Sequence, residues 1–168
     1  MTDECVHAAR TIPAPADAVF AVLSDPTAHA AIDGTGWVSR AVDRGPITGV
    51  GQVFRMAMHH PEHPDGDYQT HNLVITFEQD RVIAWRPGYV EDRATGALGF
   101  GGWTWCYDLA PAGPAETEVT HTYDWSAVGP GPREYLTFPP FPPDHLAHSL
   151  EHLEALVRDR RDRCPAGP

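Results

Sequence analysis

A chain of 168 residues with 12 basic and 23 acidic side chains carries a formal net charge of −11, which argues against nucleic acid or an anionic membrane as its main partner. The length suits one domain, taken as residues 1–163 with a frayed tail at 164–168, able to bury roughly 70% of the surface its unfolded form exposes. Cys5, Cys106 and Cys164 form no CxxC pair or disulfide framework, which suits a reducing cytoplasm, and no basic-then-apolar leader or run of about 18 apolar residues points to export or membrane insertion.

In chain order, Cys5 to Ile12 alternates loosely and is expected as a first strand ended by Pro13. The string PAPADAVFAVLSDP then changes period. Pro15 and Asp17 suit a first helical turn, Val19, Phe20, Val22 and Leu23 form an apolar stripe, and Asp25-Pro26 stops the helix. A second short helix is expected over Thr27 to Ile32, ending at Asp33-Gly34-Thr35-Gly36. Strands follow at Trp37 to Val42, Gly51 to Met58, Tyr68 to Glu78 and Arg81 to Pro87, separated by Pro/Gly/Asp turns. With a hairpin from Gly101 to Trp125 that makes seven strands, and short connections imply an antiparallel meander.

The hairpin carries the strongest signal. Period two puts Trp103, Trp105, Tyr107 and Leu109 on one face, and Val119, His121, Tyr123 and Trp125 on the matching face of its second arm. Such a face is apolar overall, yet its N–H and O–H tips need partners out of water. It reads either as an aromatic core or as the wall of a ligand cavity, where a few polar groups converge on an apolar pocket. The segment Val128 to Pro143, with VGPGP and PPFPP, is expected to lack regular structure. From Asp144 to about Arg161, Leu146, Leu150, Leu153 and Val157 fall at helical spacing, making one amphipathic helix whose stripe can cover the aromatic face.

The order strand, two short helices, six strands and long C-terminal helix is the helix-grip arrangement of an α+β protein. The segments IPAPADAVFAVLSDP, IDGTG, RVIAWRPG, GGWTWCYDL and TEVTHTYDW resemble the SRPBCC superfamily, also called START or Bet v 1-like, in its bacterial polyketide cyclase/dehydrase branch. The resemblance implies a strongly curved sheet gripping the last helix around a deep apolar cavity that takes hydrophobic molecules, lipids among them. It says where a ligand sits and not what is done to it.

Within that frame His121 is the first polar candidate, since an imidazole on the inner face can act as acid or base near neutral pH, with Tyr123 beside it. The bland alternative is a buried neutral histidine satisfied by a tyrosine or a carbonyl. Tyr68, Asn72, Trp85, Arg86, Trp103, Trp105, Tyr107, Trp125, Leu146 and Leu150 are the expected ligand contacts. On the Tyr68 to Glu78 strand periodicity does not decide which parity faces inward. Tyr68 and Asn72 suit a cavity while the Leu73 face is the better core candidate, and Arg55 has the same ambiguity. His59, His60, His63 and His71 gather near one turn, and His145, His148 and His152 recur along the last helix, without a carboxylate or thiolate in zinc register. No metal or cofactor is therefore expected. P-loop, GxGxxG and GxSxG motifs are absent.

Three functions remain open: binding of a hydrophobic, aromatic or polyketide-like small molecule; an aromatase/cyclase-type enzyme working through His121 or a tyrosine; and a chaperone-cofactor-like interaction protein. A homodimer is compatible with any of them.

Overall fold

The structure is a computed structural model and describes residues 3–163. The expected tail at 164–168 lies outside the described residues. The elements are β1 (Cys5–Ile12), α1 (Ala16–Leu23), a 3-10 turn (Pro26–Ala28), α2 (His29–Asp33), β2 (Val38–Ala41), β3 (Val53–His59), β4 (Asp67–Glu78), β5 (Val82–Asp92), β6 (Ala97–Phe100), β7 (Thr104–Gly113), β8 (Glu116–Asp124), α3 (Pro130–Arg133) and α4 (His145–Arg163). Seven strands run antiparallel in the order β1-β8-β7-β5-β4-β3-β2, and this curled sheet with the C-terminal helix is the helix-grip fold.

Two expectations need correction. The strand ending at Pro87 continues to Asp92 and pairs there with β6, an eighth strand off the main path that joins Gly88 to Phe100. One edge of β5 therefore serves two partners, β7 with its first half and β6 with its second, while β4 pairs with the other edge. The proline-rich segment also holds one helical turn, α3, begun by Pro130, whose missing N–H is no loss at a helix start.

Parity on the hairpin follows period two: Thr117, Val119, His121 and Tyr123 are buried while Glu116 and Glu118 are exposed. On β4 the inward set is Tyr68, Thr70, Asn72 and Val74, and a register shift between Val74 and Thr76 then turns Phe77 inward against Phe20. The Leu73 face, expected as the better core candidate, points outward. A bulge adds one residue and reverses the parity beyond it, so no single alternation describes this strand. Arg55 is on the outer face, bidentate to Asp43 at 2.8 and 2.9 Å.

Helix α4 lies across the inner face with Leu146, Leu150, Leu153 and Val157 buried, as its spacing requires. Its contact with α2 depends on Gly34. That residue has φ +74, and a Cβ there would stand 2.5 Å from the His152 ring, so only glycine suits both the left-handed cap and the close approach. Ser149 Oγ donates to Asp33 O at 3.3 Å and His152 Nδ1 lies 3.2 Å from Ile32 O, so α4 side chains reach the last carbonyls of α2. No described helix is long and apolar enough to cross a membrane.

Candidate functional site

The face between sheet and α4 divides into two clusters. Toward the end of β8 that begins with Thr117, the core is mainly aliphatic, with Val19, Val22, Leu23, Val119, Leu153 and Val157 packed around Phe20. Toward the other end it is aromatic, with Tyr123, Trp125, Val128, Phe141 and Leu146 buried and Trp103, Trp105 and Phe138 packed beside them. The strap from Ser126 to Asp144 closes that end. Its Phe141 ring stacks on Trp105 (5.6 Å), meets Tyr123 edge-on (5.0 Å) and lies 4.8 Å from His145. Arg133 fastens the strap through the carbonyls of Val128 (3.0 Å) and Trp125 (3.1 Å) and an ion pair to Glu4 (2.8 Å).

At the junction of the two clusters sits His121, 2% exposed. Its ring stacks on Tyr107 at 3.9 Å and 11° and borders Trp105 at 5.5 Å. Neither ring nitrogen has a hydrogen-bond partner among the described residues. Burial, then the neighbouring His145, pushes its pKa down to about 3, so the imidazole is neutral at pH 7. A buried polar group left unpaired costs roughly 1–3 kcal/mol. The bland expectation, a histidine satisfied by a tyrosine or a carbonyl, does not hold: Tyr107 offers His121 its face and not its hydroxyl.

His145, on the first turn of α4, and Asp33, at the end of α2, complete the polar end. His145 Nε2 is 3.9 Å from Asp33 Oδ1. The opposite oxygen, Oδ2, accepts from Thr35 N (3.2 Å), Thr35 Oγ1 (2.5 Å) and Val38 N (3.4 Å), which fixes the carboxylate. Burial lowers the His145 pKa, with Asp33 opposing. Desolvation and then the Asp33 charge raise the phenols of Tyr107 and Tyr68. Desolvation alone raises Tyr123.

Of the expected contacts, Trp85, Trp105, Tyr107, Tyr123, Leu146 and Leu150 lie on the inner face. Asn72 is there too, its amide donating to Phe54 O (3.3 Å) and Thr70 Oγ1 (3.2 Å). Tyr68 is half-buried and stacked on His63 at 4.3 Å. Trp103 and Trp125 belong to the strap end, Trp103 against Phe138 and Trp125 against Tyr123. Arg86 leaves the set: it points outward, its guanidinium 5.6 Å above the Phe100 ring, because it shares parity with Gly88 and not with Trp85.

Sequence reasoning missed Asp33 and Phe141 as site residues and treated His145 only as one of three helix histidines. The structure separates those three: His145 turns inward, His148 is exposed, and His152 meets Ile32. His29 was also missed; it is buried, sits 2.8 Å from Leu23 O and stacks on Trp85 at 5.2 Å. Around the β3–β4 turn, His59 pairs with Asp67 and His60 rests on Trp37. No group of three potential metal ligands occurs among the described residues.

On the inner face that the resemblance gives to a deep apolar cavity, Phe141 of the strap packs against Trp105, Tyr123 and His145. Two open recesses lie elsewhere. One of about 460 Å³ is bounded by Ile12, Pro13, Glu154 and Arg161, and one of about 360 Å³ by Glu4, Trp125, Arg133, Leu136 and Phe138 on the strap side.

Solved structures with the same architecture include the Zhui aromatase/cyclase from Streptomyces sp. R1128 (19% identity, 98% of each chain, TM-score 0.59). Norcoclaurine synthase from Thalictrum flavum in complex with dopamine and hydroxybenzaldehyde matches at 17% identity over 92% of this chain and 86% of that one, TM-score 0.60. The KanY protein, solved in solution, matches at 18% identity over 94% and 99%, TM-score 0.62. No protein-family model and no curated protein matches the chain. At these identities the likeness carries the fold.

Proposed function

We propose that this chain, whose fold is that of the SRPBCC, Bet v 1-like and polyketide cyclase-like proteins, binds a hydrophobic planar small molecule, aromatic or polyketide-like, at the aromatic end of its sheet. The observation that carries this is His121: a neutral imidazole, buried among rings, with no protein partner for either nitrogen. A ligand hydroxyl or carbonyl supplies that partner while its rings take the place Phe141 fills. Phe141 is itself a planar ring held by stacking and edge contacts, so another ring loses little by replacing it. Sealing roughly 300 Å² of apolar ligand surface contributes about 7 kcal/mol before ordering costs, which leaves room for micromolar affinity.

Native mass spectrometry of the purified protein, set against its denatured mass, tests the reading. A small-molecule increment lost on denaturation supports it and gives the chemical class. A protein that carries only its own mass and whose tryptophan emission ignores a panel of planar aromatics overturns it.

One observation favours a second reading, an enzyme of the aromatase/cyclase type. The Asp33–His145 pair supplies the additional acid–base group that His121 alone lacks, and His145 and His121 flank the same rings. Proton transfer at a bound ketone by His145, with His121 or Tyr107 donating to the enolate oxygen, is the chemistry this arrangement allows. His145→Ala separates the readings: retained ligand affinity with lost turnover marks an enzyme, whereas a carrier shows no turnover to lose.

A further inference from the structure

The charge of the ligand can be read from the charges that surround its site. The chain has no lysine, so its side-chain permanent cations are arginines, and all of these except Arg10 and Arg86 are exposed. Arg86 lies on the outer face. Arg10 is on the inner parity of β1 but is paired with Glu154 at 2.9 Å, nine residues along α4 from His145 and thus about 14 Å away at 1.5 Å per residue. Arg133, on the strap, is taken by Glu4 and two carbonyls.

Among the described residues, the polar end of the aromatic chamber therefore contains one formal charge, the Asp33 carboxylate, and no arginine. Its Oδ2 is held by three donors, while Oδ1 has only the long approach to His145. The nearby unpartnered group is His121, more than nine-tenths buried. A carboxylate ligand entering here brings a second negative charge into a space of low dielectric with no permanent cation to offset it, whereas a phenol or an ammonium offers Oδ1 a donor.

We propose that the chamber selects neutral or cationic aromatic molecules bearing a hydrogen-bond donor, phenols or protonated amines, and rejects aromatic carboxylates, with Asp33 as the specificity-determining residue. This rests on the reading of the chamber as the ligand site.

Three naphthalenes of matched shape test it on the unaltered protein at neutral pH, by titration calorimetry: 2-naphthol, 2-(aminomethyl)naphthalene and 2-naphthoate. The naphthol and the amine are expected to bind at least tenfold more tightly than naphthoate, and Asp33→Asn to shrink that gap below about threefold, its fold checked by circular dichroism. Naphthoate binding as tightly as naphthol overturns the inference and leaves the ligand site standing, as does a folded Asp33→Asn protein with the gap intact. Should Asp33→Asn not fold, the comparison among the three probes on the unaltered protein decides alone. Failure of all three probes to bind overturns the inference together with the reading beneath it.

Discussion

The two ends of the interior share one sheet face and one helix, yet they are built for different work. The aliphatic end is closed by α1 and the middle of α4, with Val19, Val119 and Leu153 wholly buried. Its side chains ask for nothing but contact. The aromatic end is covered by an irregular strap, holds Tyr123 and His145, and borders His121, whose two ring nitrogens have no hydrogen-bond partner among the described residues. The first region stabilises the fold, and the second is where we propose that a ligand ring replaces a protein ring. On that proposal, stability and recognition are separated along the strands β7 and β8, a few residues apart.

Breaking the aliphatic end has the largest expected effect. Leu153→Ala, at a position with no exposure, is expected to lose about 3 kcal/mol in urea denaturation while leaving the affinity of the folded protein for 2-naphthol within twofold. A loss below about 1 kcal/mol contradicts the assignment of stability to this end.

Acid acts next, and on the junction. An unfolded histidine titrates near 6.5 and folded His121 near 3, so between these values the unfolded state binds more protons. Stability then falls as pH falls. At pH 5 this single group accounts for about 2 kcal/mol relative to pH 7, at 1.36 kcal/mol per unit. His29 and His145 are shifted in the same direction. Denaturation midpoints measured at both pH values should show the loss, and His121→Phe should reduce it; an unchanged slope in that variant is the contrary result.

Phe141→Ala sharpens the comparison from the other side. Phe141 sits on an irregular strap and keeps 7% exposure against none for Leu153, so the expected stability loss is about 1–2 kcal/mol, smaller than for Leu153. Affinity for 2-naphthol is expected to rise at least threefold, as the ligand no longer competes with a ring of the protein. The smallest effect belongs to Arg133→Ala, which frees two carbonyls and Glu4 at a partly exposed site. About 1 kcal/mol is expected, together with faster proteolysis within the strap, read by limited trypsin or chymotrypsin digestion.

How far the sequence disclosed this depends on the range of the interactions involved. The inward set of β7 and β8, from Trp105 to Tyr123, was legible because alternation is local and uninterrupted there. On β4 it was not, because the register shift after Val74 brings Asn72 and Phe77, five residues apart and of opposite parity, onto one face. The strand β6 escaped notice since ALGF is four residues long and half of its signal is a glycine or an alanine. The polar end was the least legible. Asp33 and His145 are far apart in sequence and meet where α4 packs against the end of α2, beside the left-handed Gly34. Phe141 sat in a proline-rich stretch that carries no periodicity, so nothing local marked it as buried.

The central claim is that a ligand's polar group meets His121 in the space Phe141 fills, and the imidazole nitrogens report on this most directly. Nitrogen-15 spectra of histidine-labelled protein should show one His121 ring nitrogen moving to a hydrogen-bonded shift as 2-naphthol saturates the site, with the other unchanged in protonation. Both nitrogens staying at their ligand-free positions at saturation would contradict the account.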